Sequence, residues 1–234
     1  MLSRYDEIKY RVYAVEALRT LKSSLSYQEI ARRIKLPPQT LSRYATGKFL
    51  PPLERCHEIM KLLKDTIKDH VKTKVDIKDG VIDVTRVISD ATLLRSIARI
   101  AIHEFGYRDI HGVLTKETDG VPIATLIASE LNARIVIAKE EKEVGVDSFI
   151  EVRHIYPSGL YRYLYVPKIL MKKGENFLIV DDIIRTGSTI MALYEICKSA
   201  KVNVRGVFAI CGIRDTIDKL NKTLGFPVNV ILRI

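Results

Sequence analysis

The sequence has no tryptophan and only three cysteines in 234 residues. Cys56, Cys197 and Cys211 are odd in number and far apart, which argues against a disulfide framework and for a reducing compartment. No apolar run approaches the roughly 18 residues a membrane helix needs. The strongest, Phe177-Leu-Ile-Val180, has strand length. The first ten residues, MLSRYDEIKY, carry charges where a signal peptide needs an apolar stretch, so a cytoplasmic protein is expected. There is no internal repeat and no low-complexity tract, and glutamine occurs only at Gln28 and Gln39. These shortages disfavour the membrane, secreted, fibrous and zinc-finger classes. What remains is a chain with 47% hydrophobic residues, enough for a real core. Its length allows one large domain or two unequal ones.

Charge and texture both change near residue 75. Residues 1–75 hold 16 Lys/Arg against 8 Asp/Glu, a net of +8, whereas residues 76–234 hold 22 against 20. A basic module thus precedes a nearly neutral one, and its charge suits either a solvated helix face or a phosphate-backbone footprint. The first part is patterned as helices. The second alternates short Val/Ile strands with helical stretches, the pattern of an α/β sheet. The expected domains are 1–75 and 76–234, joined by a polar segment that ends in the turn signal Asp79-Gly80.

In the basic module, Ile8, Val12, Val15, Leu18 and Leu21 predict a helix from Ile8 to Lys22. Ser26-Tyr-Gln-Glu29 reads as a capping box opening a second helix with Ile30, Ala31 and Ile34 inward. Pro37-Pro38 separates it from a third helix, Gln39–Thr46, closed by Gly47. A fourth starts near Leu53 and runs to Leu63 or further. The run SYQEIARRIKLPPQTLSRYATGKFLPP resembles the helix-turn-helix of the phage lambda repressor and Cro family. That resemblance covers about residues 10–65 and implies double-stranded DNA as partner, with Gln39–Thr46 in the major groove. Gln39, Thr40, Ser42 and Arg43 fall on the face away from Leu41, where Gln suits adenine and Arg suits guanine. Gln28, Arg32, Arg33 and Lys48 complete the candidate DNA contacts, and Lys35 and Arg55 are further cations placed for phosphates. A protein-binding helical hairpin is the other reading of the same pattern.

In the second part the most informative segment is Phe177-Leu-Ile-Val-Asp-Asp-Ile-Ile-Arg-Thr-Gly-Ser-Thr-Ile190. A buried strand ends in two carboxylates, Asp181 and Asp182. The loop Thr186-Gly187-Ser188-Thr189 then enters a helix through Met191, Leu193 and Ile196. Ligands of open α/β sheets bind beyond the carboxyl ends of strands. A small-residue loop at a helix N-terminus offers backbone N–H groups to an anion. Adjacent carboxylates suit vicinal ribose hydroxyls, so the segment reads as a ribose-5-phosphate cradle.

The same segment resembles the PRPP-binding motif of type I phosphoribosyltransferases. The resemblance spans about residues 82–234. It implies an α/β fold, a mostly parallel sheet flanked by helices with a small hood. It places Asp181 and Asp182 on the ribose hydroxyls and Arg185 to Thr189 around the 5′-phosphate. It makes Lys116, Glu117, Thr118, Asp119 and Gly120 the pyrophosphate loop within His111–Ala124, which leads into a helix ending at Leu131. It likens Arg134–Gly145 to the strand and flexible loop of the orotate and xanthine branches, with Lys139 a ligand-binding lysine and Lys142 the catalytic lysine of an active enzyme. It also implies Mg²⁺ with PRPP, and a homodimer.

Four departures bear on turnover. Asp119 stands before Gly120 where an Arg is common, and a carboxylate there repels pyrophosphate. Ala138 stands before the strand-end lysine where Arg is usual. Val144 replaces a loop His, and Arg185 replaces Asp, Thr or Ala. Together they weaken leaving-group stabilisation and tilt the expected ligand toward a monophosphate. His154 and Tyr156 are read as part of the mobile loop, with His154 a solvated side chain. Tyr161–Tyr165 is read as a strand with one aromatic face, or as a base-stacking surface. Gly225–Arg233 is a strand or hood element, and Cys197 and Cys211 are buried small apolar residues.

The resulting expectation is a DNA-binding transcriptional regulator that senses a phosphorylated ribose ligand: PRPP, a nucleotide or a related sugar phosphate. Its plan, though not its DNA module, resembles that of the purine repressor of Gram-positive bacteria. Helix-turn-helix proteins with such a domain are also known as regulators among archaea. The alternative is an active phosphoribosyltransferase of orotate or purine/xanthine type with an appended helix-turn-helix.

Overall fold

The structure is a computed structural model that describes residues 3–106, 109–156 and 158–234. It divides into two compact units, Met1–Thr73 and Lys74–Ile234.

The first unit is helical. Helix α1 (Arg4–Lys22) starts ahead of the apolar spacing because Ser3 caps it: Ser3 Oγ accepts the Asp6 N–H at 3.1 Å. Helix α2 (Tyr27–Ile34) opens with the capping box, Glu29 N–H to Ser26 Oγ at 3.2 Å and Ser26 N–H to Glu29 Oε2 at 2.7 Å. Lys35 ends it in a left-handed conformation. Helix α3 (Pro38–Ala45) begins on Pro38, whose missing N–H is one the first turn leaves unpaired anyway. Gly47, at φ +75, lets the chain leave α3. Helix α4 (Leu53–Lys74) runs well past Leu63, carried by the buried stripe Ile59, Leu63, Ile67 and Val71. Leu18, Leu21, Ile30, Leu41 and Met60 fill the core, each contributing roughly 1.5–3 kcal/mol by burial. Arg19 Nε donates to the Ala45 carbonyl at 2.8 Å and Arg11 Nε to that of Pro51 at 2.9 Å. These bonds fix α3 and the Pro51 turn against α1.

The second unit opens with a small hairpin, β1 (Asp76–Lys78) and β2 (Val81–Asp83), then α5 (Thr85–Ile88) and α6 (Ala91–Phe105). There follow β3 (Gly112–Lys116), α7 (Val121–Leu131), β4 (Arg134–Ala138), the antiparallel pair β5 (Phe149–Ile155) and β6 (Tyr161–Pro167), and a 3-10 turn. The chain closes with β7 (Asn176–Ile184), α8 (Ser188–Ala200), β8 (Asn203–Gly212), α9 (Arg214–Leu224) and β9 (Val228–Arg233). Among the described residues the main sheet has the order β4-β3-β7-β8-β9, parallel throughout.

Both faces of that sheet are covered, as its near-continuous apolar strands require. Phe177 and Ile179 of β7 share a core cluster with Ile190, Leu193 and Ile196 of α8 and Ile217 of α9. On β8, Phe208 meets Phe105 of α6 edge to face at 6.5 Å. The β5–β6 arm joins the end of β4 through two main-chain bonds between Lys139 and Tyr165, at 3.0 and 2.8 Å. The Gly225–Arg233 stretch, left open as strand or hood, is the edge strand β9. The three cysteines are buried, and burial pushes each thiol up to about 12.

Candidate functional site

Strands β3 and β7 are neighbours in the sheet and end at the same edge, so the loops that follow them meet. Between these loops lies a cavity of about 410 Å³ lined by Lys116, Glu117, Thr118, Asp119 and Gly120 from the first. Asp181, Asp182, Arg185, Thr186, Ser188 and Thr189 line it from the second. Gly187 is the N-cap of α8, at φ +80 and ψ −1, a left-handed conformation that glycine adopts without strain. Gly120 caps α7. A Cβ on it would lie 2.6 Å from Thr115 Oγ1 and 3.1 Å from Asp181 Oδ1, so only glycine lets the β3 loop pass β7 this closely. The N-termini of α7 and α8 therefore bracket one cavity, an arrangement whose dipoles suit an anion. Thr186 Oγ1 donates to Ser188 Oγ at 3.1 Å and itself accepts the Ser188 N–H at 3.4 Å, which shapes the second loop. Thr216 of α9 ties it down by donating to the Arg185 carbonyl at 2.9 Å.

The carboxylates differ in surroundings. Asp181 is buried; burial, then the neighbouring Asp182, pushes its carboxyl well above the usual range. Its Oδ1 accepts the Asp182 N–H at 3.1 Å. Asp182 is half-buried. This pair can take hydrogen bonds from vicinal hydroxyls, and Asp181 in its neutral form can also donate one.

At the β3 end the cavity is short of free positive charge. Lys116 Nζ lies 3.0 Å from Glu140 Oε1. Glu140 also accepts from Tyr156 OH at 2.7 Å and from Arg162. Burial opposes its ionisation, but these bonds outweigh burial and hold its carboxyl at about 2. Glu117 Oε1 accepts the Glu140 N–H at 2.6 Å, while Thr118 and Asp119 are exposed. The Glu117–Thr118 peptide is cis.

Two lysines lie apart from this cavity. Lys139 pairs with Glu143, and Lys142 pairs with Glu151 while lying over the Tyr165 ring at 5.0 Å. Both line a separate charged recess with Glu141 and Tyr163. Conversely, two groups read as loop residues belong to the cavity. His154 is not solvated: it lies in β5, 2% exposed, with Nε2 3.2 Å from Ser188 Oγ. Tyr156 packs beside it, ring centroids 4.4 Å apart and planes tilted by 42°. No spacing rule connects residue 154 to residue 188. Only the packing of the β5–β6 arm on α8 does.

In the first unit, Leu41 and Ala45 turn inward from α3, leaving Gln39 and Arg43 exposed and Thr40 and Ser42 half-exposed on one face. Gln28, Arg32, Arg33 and Lys48 are exposed as well. Arg43 and Lys48 form no ion pair among the described residues. Arg55 pairs with Glu58 at 2.7 Å.

Comparison with known proteins agrees with both units. Residues 15–65 match a helix-turn-helix model, and residues 87–224, more than half the chain, match the model of the phosphoribosyl transferase domain. The purine biosynthesis transcriptional repressor PurR of Bacillus subtilis is 24% identical over 209 residues, 87% of this chain and 70% of that protein. The probable PurR regulator of Streptococcus pneumoniae TIGR4 is 28% identical over 72% of this chain and 62% of its own length. Among solved structures, adenine phosphoribosyltransferase from Rhodothermus marinus shares the fold at a TM-score of 0.65 and 20% identity, covering 73% of this chain and 99% of that one. The chain belongs to the phosphoribosyl transferase domain family and carries a helix-turn-helix ahead of that domain.

Proposed function

We propose that this chain is a DNA-binding transcriptional regulator whose phosphoribosyltransferase-fold unit senses a phosphorylated ribose ligand: PRPP, a nucleotide or a related sugar phosphate. The observation that carries the reading is the asymmetry of the cavity. Its β7 side keeps a complete phosphate loop and a carboxylate pair, while its β3 side presents Asp119 and a lysine already paired to Glu140. Binding a ribose phosphate needs the first side. Expelling pyrophosphate needs cations on the second. Likeness to the two PurR proteins supports the same role.

DNA binding is assigned to residues 1–75 and ligand binding to residues 76–234. The recognition surface is Gln39, Thr40, Ser42 and Arg43, with Gln28, Arg32, Arg33 and Lys48 beside it. A homodimer would place two α3 helices on half-sites about one helical turn, or a multiple of it, apart. The ligand shifts DNA affinity only insofar as it binds one arrangement of that dimer better than another. No helix among the described residues is long and apolar enough to cross a membrane, and the cytoplasm suits both DNA and nucleotide ligands. Among the described residues no group of three or more His, Cys, Asp or Glu side chains gathers as a metal cage would. Mg²⁺ arriving with PRPP would be held chiefly by that ligand's oxygens, with Asp181 and Asp182 the carboxylates at hand.

The second reading, an active phosphoribosyltransferase, draws on the same complete phosphate loop. Pyrophosphate release from PRPP with Mg²⁺ and each of adenine, guanine, hypoxanthine, xanthine, uracil and orotate separates the two. The regulator reading expects feeble release throughout. Turnover of about 1 s⁻¹ or more, within the ordinary enzyme range, with any one base would replace it by the enzyme.

A further inference from the structure

We propose that His154 is a further binding residue for the ligand's phosphate, and that it takes up a proton as the phosphate binds. The inference rests on the phosphorylated-ligand reading above. His154 is 2% exposed, lines the cavity, and sets Nε2 3.2 Å from Ser188 Oγ at the start of α8. Its Nδ1 is buried and without a hydrogen-bond partner among the described residues. A histidine retained only for packing normally satisfies both ring nitrogens. The unmet Nδ1 is open to take a proton, and a phosphate charge beside Ser188 would offset the cost of the buried N–H that results.

The groups facing it set the direction of the change. Lys116, at the end of β3, disfavours a second positive charge, and Glu140, beyond β4, favours it. Tyr156 and Arg162, the latter directly across the β5–β6 pair, are committed to Glu140. Ser188 of α8 is neutral, and Arg185, Asp181 and Asp182 line the same cavity. Burial first and Lys116 second hold the imidazole below its ordinary range, which favours the neutral ring when no phosphate is bound. A dianion beside Ser188 would stand within about 4–6 Å of the ring, close enough to reverse that balance. The bond from Nε2 then becomes charge-assisted.

The test is calorimetry of the full chain with ribose 5-phosphate at pH 7.5, in two buffers of different ionisation enthalpy. A phosphate monoester, with a second pKa of about 6, is already a dianion there, so any proton taken up goes to the protein. The expected result is net proton uptake, with Kd tightening as pH falls from 8.5 to 7. His154→Gln keeps an amide able to reach Ser188 but cannot charge. It should bind about tenfold more weakly near pH 7 and lose both the uptake and the pH dependence, whereas a proton taken by Asp181 would persist in this variant. The ring signals of His154 in the unaltered chain give an independent readout, and their titration midpoint should move upward on adding ribose 5-phosphate. Binding without proton uptake and with an unmoved midpoint would overturn the inference and leave the phosphate reading standing. No binding of ribose 5-phosphate or PRPP by the unaltered chain would overturn both.

Discussion

Lys116 and Glu140 form an ion pair of 3.0 Å at the β3 end of the cavity, where a pyrophosphate would have to displace the carboxylate to reach the lysine. Glu140→Gln removes that competition while keeping the bond from Tyr156. PRPP should then bind up to about tenfold more tightly, whereas ribose 5-phosphate should not tighten, because Glu140 also favours the charged form of His154. Parallel titrations of the two ligands check this. Equal changes for both would show that Glu140 does not restrain the pyrophosphate end.

Asp181 and Glu140 should respond to pH in opposite senses. The folded pKa of Glu140, about 2, lies below its unfolded value. Its stabilisation is therefore complete above about pH 4.5 and is lost as pH falls toward 2. The folded pKa of Asp181 is raised, first by burial and then by Asp182. The raised value therefore costs stability at neutral pH, and that cost shrinks as pH falls below the folded value and is gone below the usual aspartate range. Asp181→Asn should raise Tm at pH 7, by roughly 2–4 °C for each kcal/mol recovered, while weakening ribose-phosphate binding. A lower Tm would show that the buried carboxyl is better accommodated than its surroundings indicate.

Gly120→Ala puts a methyl 2.6 Å from Thr115 Oγ1. Such overpacking typically costs about 1–3 kcal/mol, and here the strain falls on Asp181 as well. Thermal unfolding should drop and phosphate-ligand affinity with it. Thr189→Val is the milder probe, expected to weaken the ligand by about tenfold through loss of one hydroxyl donor.

On DNA, Arg43→Ala and Lys48→Ala should separate. The first should relax preference at one base position by about 1–3 kcal/mol. The second should weaken all sequences alike and lower the salt slope by about one. Binding isotherms on a set of single-base variants at two salt concentrations distinguish them.

The parts of this molecule legible in the sequence are the contiguous ones. Residues 177–190 carry strand, carboxylate pair, small-residue loop and helix start in one run, so their local structure needs no tertiary information. Ser26 and Glu29, and Pro37-Pro38 followed by Gly47, mark α2 and α3 just as locally. Reading fails where a side chain has a choice of partners. Lys139 and Lys142 pair with Glu143 and Glu151 and Arg55 with Glu58, choices of partner that no local pattern sets. His154 was illegible for the converse reason, since its partner Ser188 is 34 residues away and is met only because β5 packs on α8. The full length of α4 exceeded the clearest apolar pattern because its last two turns keep only Ile67 and Val71 as inward residues.

The most direct test is fluorescence anisotropy of the full chain on a duplex it selects from a random library, titrated with PRPP, nucleoside monophosphates and ribose 5-phosphate. At least one of these should change the DNA Kd by about fivefold or more, the low end of ordinary coupling energies. Thr189→Val should shift the response to about tenfold higher ligand concentration and leave basal DNA affinity intact. DNA affinity unmoved by every one of these ligands, at concentrations where calorimetry shows the cavity occupied, would contradict the regulator reading.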